Sequence, residues 1–488
     1  MLAGYCWPQS VSPGEITSVY CHGGVAQVQL QVVRKGAADI VVHEQTIQVL
    51  EQELSDELSV RGCDWKMSAE ISVDQAWPSG FYLVRFIAED DEVAEAYFVV
   101  RATEPQDALL VLSTSTWAAY NDWGGPSFYT GGNTSALRRP LPKGFLDKDD
   151  PQRFRIARFI DWDRDEGRAF ARKGYSQWSM AAGWANWEIL FVRWAEARGY
   201  NLGYATSFDL DQDPDLLAGY SAYVSIGHDE YWSVGMRDNV EGYIDSGGNA
   251  AFFSGNTSFW QARFEGNGTQ LVAYKTALTD DPDYDADGAP KLSTMWSDPL
   301  VGRPESEMTG VSFTRGGYAH MPNAPRGSGG YTVWQPRHWA FESLNFSEGD
   351  QLGASAIVVA YECDGCELEY VEGKPFARLS SAAEPTIPPG LEVLGTAPAR
   401  LWETHQASGE LHESYIGELN WVAERLAGED TEANRRKFAD GHAVLGSFSR
   451  GAGQVFTAGC TDWAYGLEQR DVATVTDNVL KRFTSKGS

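Results

Sequence analysis

The sequence predicts an α/β protein in two parts: an immunoglobulin-like β-sandwich over residues 1–104, then a parallel-sheet domain over residues 105–488 that carries a β-rich insertion at about 300–400. Three observations predict it. Residues 1–104 alternate polar and apolar side chains in short stretches, the period of a half-buried strand. Continuous apolar runs such as Leu109-Leu110-Val111-Leu112 follow, the composition of strands buried on both faces. Between those runs the apolar spacing lengthens to three and four residues, the period of a helix facing a core.

In chain order, residues 25–33 and 82–86 read as antiparallel strands separated by Pro-Gly and Gly-Gly punctuation. The polar Thr103-Glu104-Pro105 stretch suits a domain boundary. Beyond the run at 109–112, Trp184, Trp187, Phe191 and Trp194 place a helix over 181–199, stopped by Arg198-Gly199. A second strand covers 220–226, a helix 234–244 ends at Gly247-Gly248, and a third strand covers 250–253. That strand, turn, helix, strand order is a parallel unit of the amidotransferase or flavodoxin-like kind, with right-handed crossovers. Residues 300–400 have no helical period and read as an insertion, after which 443–448, 454–459 and a helix at 471–483 complete the sheet.

Composition narrows the function. A chain of 488 residues holds about two or three domains at the usual roughly 150 residues each. Its 68 acidic against 39 basic residues give a formal charge of -29, which repels phosphate backbones and argues against nucleic acid. No run of eighteen apolar residues exists and the first residues lack the order of a secretory signal, so the expectation is a cytoplasmic protein without a membrane partner. Six cysteines are too few for a disulfide framework and fit a reducing compartment. The 18 tryptophans are core, or they line a platform for carbohydrate or peptide.

In open α/β sheets ligands bind beyond the carboxyl ends of the strands. Gly227-His228-Asp229-Glu230-Tyr231-Trp232 occupies that place after the second strand. In extended chain His228 and Glu230 share a side, which makes an acid–base pair or a metal site; the bland alternative is a surface histidine ahead of a helix cap. Asn256 after the third strand brings an amide to the same rim, as oxyanion donor or as ordinary turn chemistry. Tyr120 and Tyr129, after the first strand, are core phenols or ligands. Asp283-Tyr284-Asp285-Ala286-Asp287-Gly288 mimics a calcium loop but has Thr294 where the bidentate glutamate belongs. Cys363 and Cys366 form a lone CxxC pair, insufficient for a closed zinc site.

Taken together, Thr116-Trp117-Ala118-Ala119-Tyr120-Asn121-Asp122-Trp123-Gly124-Gly125, the HDEYW string at 228–232, Gly255-Asn256, Tyr361-Glu362-Cys363-Asp364 and Gly459-Cys460-Thr461-Asp462-Trp463 resemble the large subunit of N,N-dimethylformamidase over nearly the whole chain. The resemblance implies a catalytic domain that hydrolyses a small amide at a mononuclear iron held by two tyrosines and a glutamate. Glu230 matches the carboxylate and Tyr120 one tyrosine. The family's second tyrosine precedes an Arg-Pro pair; ahead of Arg139-Pro140 this chain has no phenol, and Tyr129 is the nearest substitute. His228, Asn256 and Glu362 fall on catalytic or supporting positions. The resemblance further implies a small partner subunit or a homo-oligomer. Hard oxygen donors suit Fe3+, with zinc as the other candidate. The competing expectation is a non-catalytic carbohydrate- or peptide-binding protein on the same scaffold.

Overall fold

The computed structural model describes residues 1–148, 155, 165–378, 387–403 and 418–485. Two sheets fill its N-terminal part. Strands Ala3–Trp7, Ile16–His22 and Ala69–Ser72 form a three-stranded antiparallel sheet. Strands Ser10–Val11, Val93–Val100, Gly80–Ile87, Gln27–Lys35 and Asp39–Gln48 form a second, in that order. Alternation along Gln27–Lys35 sends Val28, Leu30 and Val32 into a core shared with Cys6, Val19, Tyr82, Phe86 and Phe98.

Two strands of the second sheet, Gly80–Ile87 and Val93–Val100, are covered on both faces along most of their length. Val33, Phe81, Leu83, Tyr97 and Val99 belong to the large core of the rest of the chain, not to the N-terminal one. Phe81 stacks on Trp184 with centroids 4.1 Å apart. Arg34 grips Glu196 with two guanidinium N–H groups, at 2.7 and 3.0 Å, across the same boundary.

The central sheet has eleven strands. Its path runs Leu202–Thr206, Ala108–Leu112, Ala222–His228, Asn249–Gly255, Gly453–Thr457, Asp440–Arg450, Glu392–Arg400, Ser312–Ala319 and Tyr361–Gly365. The first five are parallel, whereas every later pairing is antiparallel. Strands Tyr331–Val333 and Gln351–Leu352 attach beside Glu392–Arg400.

This corrects the expected class. The protein is not a parallel-sheet, amidotransferase- or flavodoxin-like α/β domain but a β-rich one with a mixed central sheet and few helices. Of the strands between 300 and 400, expected as an insertion, Ser312–Ala319, Tyr331–Val333, Gln351–Leu352, Tyr361–Gly365 and Glu392–Arg400 are members of that sheet, whereas Leu368–Val371 and Lys374–Ala377 form a separate hairpin. The reason is physical: an apolar run records burial on both faces and carries no information about the direction of the neighbouring strand.

The expected helix at 181–199 is shorter, Glu188–Ala197, preceded by the single turn Gln177–Met180. Helices Val234–Asp245 and Arg470–Thr484 pack on the sheet through Met236, Val240 and Ile244, and through Val472, Val475, Val479 and Phe483. No described tryptophan is exposed, and Trp117, Trp184, Trp187, Trp232, Trp296 and Trp463 are among the largest fully buried side chains. These rings fill the core and offer no surface platform. All six cysteines are free and buried. Among the described residues no helix is long and apolar enough to cross a membrane.

Candidate functional site

Three strand ends meet where the parallel half of the sheet gives way to the antiparallel half. Strand Ala222–His228 lies in register with Asn249–Gly255, so His228 pairs with Gly255 and the two following turns emerge side by side. Strand Tyr361–Gly365, last on the sheet path, returns over this rim, where the backbones of Cys363 and Cys460 pair in a single antiparallel bridge and both thiols stay free. Two glycines permit the approach. A Cβ on Gly227, whose φ is +78°, would lie 2.5 Å from the Trp187 Cβ. One on Gly255 would lie 2.5 Å from the Thr461 nitrogen and 2.6 Å from the Glu362 carbonyl oxygen.

Helix Thr114–Tyr120 is bolted to the Glu230 turn. Thr116 Oγ1 accepts the Glu230 N–H at 2.9 Å, and Ser115 Oγ donates to the Tyr231 carbonyl at 2.6 Å. These bonds bring Tyr120, at the end of the helix, beside the Glu230 carboxylate. Tyr129 stacks on Tyr120 at 4.3 Å, and its hydroxyl donates to both Glu230 oxygens, at 2.7 and 2.9 Å. Tyr231 donates to the Tyr129 hydroxyl at 2.9 Å. Trp178 packs on both Tyr120 and Tyr129.

His228 and Glu230 are buried, at 2% and 3% exposure, which removes the surface-histidine reading; the helix cap that reading needed is supplied by Ser233. His228 Nδ1 lies 2.8 Å from the Ala181 carbonyl oxygen, so that nitrogen carries a proton and donates. Its Nε2 faces Glu362 Oε2 at 2.6 Å and Glu230 Oε2 at 3.3 Å. Asn256 Nδ2 donates to the same Glu362 oxygen at 3.1 Å. The six residues expected from the sequence, Tyr120, Tyr129, His228, Glu230, Asn256 and Glu362, therefore form one contiguous cluster.

The electrostatics of this cluster are strained. Burial disfavours a charged His228, but Glu362, Glu230 and the Ala181 carbonyl outweigh it and raise its pKa to about 9. Burial and the nearby Glu362 push Glu230 above the usual carboxylate range, against the pull of His228 and Tyr129. Burial and Glu230 hold the Tyr120 and Tyr129 phenols far above their ordinary value. A cation of high charge among these groups would reverse those phenol shifts.

Two further residues belong to the neighbourhood and escaped sequence reasoning. Lys275 has a left-handed backbone, φ +54°, and sets its ammonium 3.7 Å from the Tyr129 ring centroid and 5.7 Å from that of Trp260. Burial lowers its pKa to about 8, although Glu230 and Glu418 oppose the fall. Glu418 accepts from the Tyr318 hydroxyl at 2.8 Å, and burial raises its pKa to about 8, with Glu362 and Glu230 adding repulsion. Neither residue sits in a recognisable string, and both reach the site from turns or helix ends remote in sequence.

Among the described residues no group of three or more His, Cys, Asp or Glu could hold a metal ion. Any metal here depends on phenol oxygens. Tyr120, Tyr129 and Glu230 present such a set: three hard oxygen donors, two of them already in contact. Beside them Asn256 Oδ1 is buried without a hydrogen-bond partner among the described residues. The calcium-like stretch holds no such arrangement: Asp287 N–H donates to Asp285 Oδ1, an ordinary turn contact.

The family described as N,N-dimethylformamidase beta subunit-like, C-terminal, matches residues 26–477. The N,N-dimethylformamidase beta subunit of Alcaligenes sp is 27% identical over 217 residues, covering 41% of this chain and 28% of that protein. The beta subunit of Paracoccus aminophilus is 26% identical over 217 residues with the same coverage. The aligned part thus spans under a third of the length of these curated relatives. Among solved structures, a chain from one described as the structural basis of T cell specificity and activation by the bacterial superantigen toxic shock syndrome toxin-1 has a TM-score of 0.14 at 14% identity, over 20% of this chain and 98% of its own.

Proposed function

The chain belongs to the N,N-dimethylformamidase beta subunit-like family, and from that premise we propose that it hydrolyses the C–N bond of a small amide at a metal site held by Tyr120, Tyr129 and Glu230. The observation that carries the reading is the Tyr129 hydroxyl on both oxygens of Glu230, beside the His228–Glu362 pair. An all-oxygen donor set favours ferric iron over zinc, which prefers nitrogen and sulfur. Such an ion supplies Lewis acidity to a water and to the amide carbonyl.

The chain's own residues do the rest. With Nδ1 committed to the Ala181 carbonyl, His228 has one working nitrogen, and it faces two carboxylates. Glu362 takes the proton released by the attacking water, and His228, kept protonated by its carboxylate neighbours, gives its Nε2 proton to the leaving nitrogen and is recharged from Glu362, since an amine departs only once protonated. Asn256, held on Glu362, turns its second amide hydrogen to the oxyanion; one such donor contributes about 2.7–4 kcal/mol to the transition state. Trp178, Trp187 and Tyr361, packed around Tyr120 and His228, exclude bulk water and strengthen each of these interactions.

The relatives' description as beta subunits supports a partner subunit, and a homo-oligomer is the other assembly to test. Freshly purified protein is expected to carry about one iron per chain with a visible tyrosinate-to-iron band, and to release dimethylamine from N,N-dimethylformamide. Full turnover by protein free of bound metal would defeat the reading.

A further inference from the structure

Asn256 is useful to the proposed reaction only if its amide is held on Glu362, and its backbone preference alone does not fix it there. Its φ is +50°, and Ser258, two residues on, is at +57°. Both lie in the left-handed region, which asparagine tolerates better than most side-chain-bearing residues but does not prefer over the right-handed and extended ones. Consecutive N–H groups in such a turn point the same way and make a concavity for an acceptor.

The acceptor is Asp364, itself 2% exposed. Its Oδ1 accepts the Asn256 N–H at 2.9 Å and its Oδ2 the Thr257 N–H at 3.1 Å. The Asp364 N–H donates to the Gly459 carbonyl at 3.0 Å, which fixes the clamp to the neighbouring strand end. Asp364 is two residues beyond Glu362 on one strand, so the two side chains share a face: one grips the backbone of Asn256, the other its amide. Other bonds hold the rest of the turn, Ser254 Oγ to Thr257 Oγ1 at 2.8 Å and the Ser258 N–H to the Asp229 carbonyl at 2.8 Å, but neither reaches the Asn256 N–H.

We propose that Asp364 is a positioning residue, which imposes the left-handed backbone of Asn256 and thereby keeps its amide on Glu362 and aimed at the reacting carbonyl. The inference rests on the amidase reading for its consequence but not for its geometry. It touches neither Tyr120, Tyr129 nor Glu230, so metal content is independent of it.

The test is a double-mutant cycle joined to hydrogen exchange, on the full chain with N,N-dimethylformamide as probe. Asp364→Ala is expected to lower kcat by about 100-fold and Asp364→Asn, which keeps one acceptor, by about 10-fold, with KM and metal content within about two-fold. In an Asn256→Ala background neither substitution lowers kcat further, because its effect is already spent. Exchange of the Asn256 and Thr257 amides rises in both variants. Additive losses in the Asn256→Ala background, or unchanged exchange at residues 256 and 257, overturn the proposal. If Asp364→Ala fails to fold, Asp364→Asn carries the same comparison. Should the unaltered chain not turn over the probe, the amidase reading fails, and exchange alone decides whether Asp364 sets the turn.

Discussion

Glu230 and Glu241 lie eleven positions apart, one before and one within the helix Val234–Asp245, and both are buried glutamates with opposite surroundings. Glu241 is matched: Arg237 at 2.5 Å and Arg303 and Arg450 each at 2.9 Å surround it. Although burial alone would raise its pKa, those guanidinium groups bring it down to about 2. Glu230 is mismatched. It is repelled by the neighbouring Glu362 and Glu418, its one imidazole neighbour is itself perturbed, and burial depresses the pKa of the Lys275 ammonium. A buried carboxylate matched by guanidinium groups is accounted for by the fold; one left among other carboxylates, as Glu230 is, is the pattern the proposed metal site requires.

That contrast can be broken. The largest effect is expected at Glu230→Ala: metal content and turnover fall to background, while Tm holds or rises because a repulsive carboxylate is gone. Elemental analysis, an amine-release assay and calorimetry together decide it, and a folded, metal-loaded, active variant would refute the contrast. His228→Ala comes next, with kcat down by about 10²–10⁴-fold and iron retained, read from kinetics and the visible band.

Glu241→Ala should invert this pattern. Stripping three guanidiniums of their shared partner costs about 3–5 kcal/mol in denaturant unfolding, with kcat unchanged within about two-fold. The smallest effect is in pH. Because the folded-state pKa of Glu241 lies below its ordinary 4.5, its stabilisation is present above about 4.5 and fades as the pH falls towards 2. Acid unfolding of Glu241→Gln should therefore have a shallower limb across that window, whereas equal limbs would show that the cluster contributes nothing.

How far the sequence could be read follows the same division. His228, Glu230 and Asn256 were legible because each follows an apolar run, and strand ends present their side chains to a common rim. Tyr129 was found only as the nearest phenol, since its contact with Glu230 depends on a loop path that no periodicity records. Glu362 came from the family resemblance; its place depends on Tyr361–Gly365 returning over the rim, a consequence of antiparallel pairing that the apolar pattern did not signal. Lys275 and Glu418 had no local mark whatever. The same blindness to strand direction produced the incorrect parallel-sheet class, because Ser312–Ala319 and Glu392–Arg400 look alike whichever way they run.

The doubly covered sheet of Gly80–Ile87 and Val93–Val100 has a practical corollary for anyone shortening the gene. A product starting at residue 105 would lose Phe81 from the Trp184 ring and strip Leu83, Tyr97 and Val99 from the flank they shield, leaving an exposed apolar wall. The first hundred residues are thus less an appendage than a piece of the casing, and the two portions should be inherited, expressed and engineered together.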